Sequence, residues 1–285
     1  MGEHPVISQK RPRFWGGGVK GAVTLLVLGV YALSFWQTGT NPKALIEGLP
    51  QMGEFIWKMV PPNFIDWQAP YFYNVESDLP GIFDKAVQTV QMAVMGTVFA
   101  VIGGLMLSFI AARNINPNPF VYQAARFTCD ALRGISELVW ALLFVAMVGL
   151  GPFAGVLALT VHSIGALGKY FSEAIETIDA EVIESVQSSG AGRVQVYAHG
   201  VFPELRPLFM SYILYYFEHN LRQATVLGVV GAGGIGLELL LSIQYFNFDK
   251  VLTVVMVMLA MVIATDRLSG VIRKRLVGGE ILVVT

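Results

Sequence analysis

The fold class predicted by this sequence is an all-α protein that crosses a membrane several times, and three observations carry that reading. Only 14% of its 285 residues are charged, against roughly 25% in soluble domains. Hydrophobic residues make up 54%, and mean hydropathy is +0.60. Apolar runs recur near the length of about 18 residues that a helix needs to cross the hydrocarbon core. The net charge of −1 carries no information about partners, and no nucleic-acid partner is expected. The single cysteine, Cys129, permits no internal disulfide, and no metal-ligand spacing surrounds it. It reads as a small residue packing between helices.

About six spans are expected. Lys10, Arg11 and Arg13 precede an apolar run from Val19 to Trp36. That run is long for a signal peptide and lacks a clean small-x-small cleavage site, so it reads as an uncleaved first span. The segment Thr38–Asp84 is rich in proline and aromatic residues, among them Trp57, Trp67 and Tyr71. Such residues favour the water–lipid interface, which predicts an extracytoplasmic loop with an interfacial helix near Lys43–Met59. The remaining spans are expected at Val87–Ala112, Val121–Leu150, Phe153–Phe171, Pro207–Val230 and Val251–Leu268. No internal repeat of the kind common in secondary transporters is visible.

Basic residues orient the chain. With both termini inside, thirteen Lys and Arg lie on the inner side and four on the outer, namely Lys43, Lys58, Lys85 and Lys250. This obeys the positive-inside rule and places the polar island Glu173–Pro203 in the cytoplasm.

Ionisable groups inside spans are costly and face a bundle interior or water. Arg126, Asp130, Arg133 and Glu137 step by four, three and four along the third span. They are expected on one helical face, either lining a path or locking this helix to a neighbour. Ser211, Tyr215, Glu218, Arg222 and Thr225 step similarly along the fifth span and predict a polar stripe that lines a path, with Glu218 and Arg222 spaced as an ion pair. His219, Asn220 and Gln223 widen that face. His162, alone in the fourth span, reads as a hydrogen-bonding packing residue.

Gly228 to Gly236 contains five glycines in nine residues. No βαβ unit surrounds it, so a dinucleotide site is excluded. Gly231, Gly233, Gly234 and Gly236 instead predict a tight re-entrant turn, a possible gate, before a short outer-face helix at Leu237–Phe248. No P-loop, HExxH or Ser-His-Asp arrangement supports an enzyme, and energy for transport must come from a partner.

The island holds Glu184, then Gly190, then Pro203, in the pattern Glu-x5-Gly-x12-Pro. It resembles the "EAA" loop by which permeases of ATP-binding-cassette importers sit in a groove of their ATPase. Two further stretches carry a resemblance to the permease subunits of bacterial phosphonate importers of that class. They are Arg133–Phe144 leading into Val148–Gly155, and Tyr216-Phe-Glu-His-Asn-Leu-Arg222 running through to Gly236. The similarity covers about Val87–Leu276. Departures are Ser136 for a frequent proline, Ser185 and Val186 for the two alanines of the loop's name, and Gly200 and Phe202 near its end.

The resemblance implies a type I importer permease fold, a multi-pass protein of the bacterial inner membrane with both termini in the cytoplasm. It implies a second copy of this chain, two ATPase subunits that carry ATP and Mg²⁺, and an extracytoplasmic solute-binding protein. No cofactor is expected on this chain. ATPase coupling would rest on Val182, Glu184, Val186, Gly190, Ala191 and Pro203. Three regions are expected: 1–86 with the first span and outer loop, a permease core at 87–276 with the coupling loop 173–204, and a tail at 277–285. The alternatives are a permease of the same class for phosphate, phosphite or methionine, and an ion-coupled secondary transporter.

Overall fold

The computed structural model describes residues 17–39, 42–60, 81–116, 118–178, 180–188, 190, 192–196, 200 and 202–277. Every regular element among them is helical. The chain divides into two compact units, 1–57 and 58–285. The first contains α1 (Gly17–Gln37) and nearly all of α2 (Pro42–Lys58). The second contains α3 (Ile82–Ala111), α4 (Pro119–Gly134), α5 (Glu137–Val148), α6 (Pro152–Glu176), α7 (Ala180–Ser188), α8 (Arg193–Val196), α9 (Phe202–Leu227), α10 (Ile235–Gln244) and α11 (Phe248–Val277).

The expected interfacial helix matches α2, and four expected spans match α3, α6, α9 and α11 within a few residues, apart from extensions at their ends. Among the described residues, α3, the segment from Phe202 to Gln244, and α11 are long and apolar enough to cross a membrane. A fourth span counts if the bent pair α4 and α5 is one.

That bent pair corrects the continuous third span expected at Val121–Leu150. The helix stops at Gly134, and α5 leaves at 86° to α4. Ile135 and Ser136 are both extended, with ψ of 128° and 146°. Ser136 then caps α5, its hydroxyl accepting from the Leu138 N–H. Serine at a helix start satisfies a backbone donor that would otherwise have no partner.

α3 and α6 meet along a seam of small residues. A Cβ at Gly96 would stand 2.9 Å from Leu159 Cβ, and one at Gly104 would stand 3.0 Å from Leu167 Cβ. Gly165 lies equally close to the backbone of α4, where a Cβ would meet the Cys129 carbonyl at 2.7 Å. Helices in lipid associate through van der Waals contact rather than by hiding apolar surface from water, so small side chains that let backbones approach are the adhesive. Cys129 is buried between Ala111 and Ala125 and behaves as the packing residue expected. A second cluster, with Phe171, Ile175, Phe209 and Tyr216 at its centre, joins α6 to α9.

Candidate functional site: the two faces of α9 and the loop that precedes it

α9 follows the polar island and carries Glu218, His219, Asn220, Arg222 and Gln223 within six residues. The face turned inward is bonded to neighbouring helices. Asn220 is buried and accepts from the Ser163 hydroxyl at 2.8 Å, while its amide donates to Thr97 at 3.0 Å. Thr97 in turn donates to the Ala93 carbonyl at 2.7 Å. The relay joins α9 to α6 and α3. Each partner is satisfied, which is what a polar group away from water requires.

At the adjacent positions of the same two helices, His219 and His162 converge on Glu137. Both Nε2 atoms lie near the same carboxylate oxygen, at 2.8 Å from His219 and 3.0 Å from His162. His162 Nδ1 is 3.0 Å from the Ile135 carbonyl oxygen. Glu137 is 6% exposed. His162 is therefore not the lone histidine expected. Glu137 does not share a face with Arg126, Asp130 and Arg133 either, because the break at Ile135–Ser136 swings it toward α6 and α9.

The other three charges of that ladder lock helices together. Arg126 reaches Glu173 at 3.2 Å and Glu176 at 2.8 Å, and its Nε donates to the Ala111 carbonyl. Asp130 takes Lys169 at 2.9 Å and Arg133 at 3.0 Å. Of the two readings left open, the locking of α4 to α6 is the one the geometry matches.

The outward face of α9 differs. The expected Glu218–Arg222 pair is absent. Glu218 instead accepts from Arg273 of α11 at 3.2 Å, and Arg222 faces Asp266 of α11 at 3.8 Å. At i and i+4 the two side chains can reach each other, but an opposite charge on the neighbouring helix draws each away. Arg222 and Asp266 are 57% and 46% exposed, and 3.8 Å exceeds hydrogen-bond length. Tyr215 is exposed, Ser211 bonds its own helix at the Pro207 carbonyl, and Thr225 is buried against the Arg222 carbonyl. The expected stripe is thus one exposed patch, Tyr215 with Arg222, whose neighbours turn inward.

The glycine run forms the tight turn. Gly231, Gly233 and Gly234 have φ of 85°, 78° and 74°, which is backbone that side-chain-bearing residues adopt only with strain. A Cβ at Gly236 would fall against the Thr225 carbonyl. α3 caps the turn. Gln88 accepts from the Gly234 N–H at 3.0 Å and Thr89 from the Ile235 N–H at 2.8 Å, which satisfies the first donors of α10.

The island contains the short helices α7 and α8. Glu184 is exposed on α7 and Val186 is half-buried. α7 ends at Ser188, and Gly190 has φ of 81°. Within this chain a Cβ at Gly190 would meet nothing within 4 Å, so left-handed backbone, not close approach, is what asks for glycine there. Pro203 is exposed in the first turn of α9. Ala191 and the side chain of Val182 lie outside the described residues.

Residues 104–278 match the family described as binding-protein-dependent transport system inner membrane component. The chain belongs to this family. It is 39% identical over 250 residues to the phosphite transport system permease protein PtxC of Stutzerimonas stutzeri, covering 87% of this chain and 86% of that one. It is 38% identical to the phosphate-import permease protein PhnE of Mycolicibacterium smegmatis, over 88% of this chain and 45% of the relative. Among solved structures, an inward-facing MetNI methionine ABC transporter aligns over 68% of this chain and 95% of its own, with a TM-score of 0.59 at 20% identity. That likeness concerns the fold alone. The chain is therefore the permease component of an ATP-binding-cassette importer and not an enzyme; ATP hydrolysis belongs to a separate subunit of such systems.

The buried relay and the Glu137 cluster were not legible from spacing. Their members lie on separate spans, and the one available signal was that each is a polar side chain in a span and so had to find a partner inside the bundle.

Proposed function

We propose that this chain forms the membrane path of a bacterial importer for a phosphorus oxyanion of the phosphonate, phosphite or phosphate kind. The observation that supports it is the 39% identity, over most of both chains, to a permease named for phosphite transport. Two copies of the chain surround the path. Two ATPase subunits that bind ATP and Mg²⁺ dock on the cytoplasmic side, and an extracytoplasmic solute-binding protein delivers the anion. The chain crosses the cytoplasmic membrane six times with both termini inside, its core at 87–276 between an N-terminal region 1–86 and a tail 277–285.

α7, Gly190 and α8 form the coupling element, with Val182, Glu184, Val186, Ala191 and Pro203 in or beside it. ATP-driven movement there shifts a two-state equilibrium of the permease, and α6 and α9 transmit it because they flank the element. The exposed face of α9 lines the path, and Gly231–Gly236 forms a gate beside it. An anion entering a region of low dielectric needs a compensating cation. Arg222 supplies it, since a guanidinium can donate two parallel hydrogen bonds to an oxyanion. Asp266 tempers that charge, so the anion is held weakly enough to leave.

The test is uptake in a strain stripped of its own phosphorus-oxyanion importers and supplied with this chain, its ATPase and its binding protein. Uptake of at least one of phosphate, phosphite and methylphosphonate is expected, and it should stop when the ATPase loses its nucleotide-binding lysine. Uptake of none of the three overturns the substrate class. Uptake that survives the dead ATPase points to a secondary transporter.

A further inference from the structure

The Glu137, His162 and His219 cluster needs one positive centre beyond its neutral imidazoles and carboxylate, a bound cation or an added proton. His162 Nδ1 faces a carbonyl oxygen, which can only accept, at 3.0 Å. That contact requires the proton of a neutral imidazole to sit on Nδ1. The lone pair then lies on Nε2, which is 3.0 Å from the Glu137 carboxylate. A lone pair and a carboxylate repel each other unless a positive centre stands between them. His219 brings a second Nε2 to the same oxygen at 2.8 Å. One ligand atom from each residue lies within 4.8 Å of the others.

We propose that these three residues bind a divalent transition metal of the zinc class. The donor set is two imidazole nitrogens and one carboxylate oxygen, which suits zinc in preference to magnesium or calcium. The Ile135 carbonyl does what outer partners of metal-bound histidines do: it takes the far N–H, which fixes the tautomer and aims Nε2 inward. Glu137 is 6% exposed, so the site is not a patch of surface carboxylates. Water fills the fourth position. The ion clasps the break before α5 to α6 and α9, the helices on either side of the coupling segment. This inference does not depend on the identity of the transported anion.

The experiment uses the full-length chain in detergent, with any affinity tag removed and metal stripped by chelator. Zinc is titrated against a chromophoric competitor, and cobalt(II) is added separately as a visible-spectrum probe. One equivalent of zinc per chain is expected, with a tetrahedral cobalt spectrum and a raised melting temperature. His219→Gln keeps an amide N–H for Glu137 but removes the imidazole ligand. It should weaken zinc binding ~100-fold or more, since loss of an outer partner alone costs 10–100-fold. Glu137→Gln should do the same, and Cys129→Ser should change nothing. Failure of the folded wild-type chain to take up zinc overturns the proposal and leaves a proton between His162 and Glu137. Zinc retained at full affinity by both His219→Gln and Glu137→Gln overturns it as well.

Discussion

α9 carries two polar faces that obey different rules. On the inner face, Asn220 is buried and linked by hydrogen bonds of 2.8 and 3.0 Å to α6 and α3. On the outer face, Arg222 is mostly exposed, and its nearest carboxylate stands at 3.8 Å. Asn220 ties α9 to those two helices. The outer guanidinium keeps most of its donors open. Polarity in a span thus has two uses, and pairing rather than residue type separates them: a satisfied group fixes helices, and an incompletely satisfied one is available to a solute.

The largest effect should come where backbone itself blocks change. Gly236→Ala would push a Cβ onto the Thr225 carbonyl, and no side chain can move aside to relieve it. Overpacking of this kind costs about 1–3 kcal/mol or more. The expected outcome is a large fall in folded protein, measured by monodisperse yield in detergent. Native yield and melting temperature would mean that the turn is looser than described.

Asn220→Leu comes next. It keeps the branched heavy-atom skeleton and removes both hydrogen bonds of the relay. Hydrogen bonds between spans average about 0.6 kcal/mol and reach about 1.7, so a destabilisation of about 1–3 kcal/mol is expected in thermal or denaturant unfolding. Transport per folded molecule should remain near native. A stable variant with no uptake would move Asn220 to the other face of the comparison.

Arg222→Lys should do the reverse. An exposed pair contributes about 0–1 kcal/mol to stability, so folding should be unaffected. Loss of the planar fork removes one charge-assisted bond to the anion, and uptake should fall roughly tenfold, the equivalent of about 1.4 kcal/mol. Equal uptake by the lysine variant would mean that only charge matters there.

Gly190→Val should act most locally. Its left-handed φ of 81° costs a branched residue about 1–2 kcal/mol, in a local segment. Membrane insertion should be normal, while co-purification of the ATPase and uptake decline together. Normal co-purification with normal uptake would remove Gly190 from the coupling element.

Much of the architecture was legible because it rests on local patterns. Hydropathy located α3, α6, α9 and α11, and the glycine run announced a tight turn that its positive φ angles bear out. The third span misled because two helices of different character, polar α4 and apolar α5, were joined across Arg133-Gly-Ile-Ser-Glu137. The bend falls in that polar stretch, at two extended residues and a serine cap. The Glu218–Arg222 pair misled because helical spacing shows only which partners lie on the same helix. Arg273 and Asp266 on α11 compete for the two charges and win, and that competition exists only once α9 and α11 are packed. His162 looked solitary for the same reason: Glu137 and His219 reach it from other helices.

The most direct test of the two-face account is the double variant Arg222→Ala with Asp266→Ala, read for stability and for oxyanion uptake in the same preparation. Removing both members of the pair leaves no unpaired charge, so melting temperature and yield should stay at native levels. Uptake should be lost, because no cation remains on the outer face of α9 at that depth. A double variant that folds normally and transports at the native rate would contradict the account and make the outer pair structural.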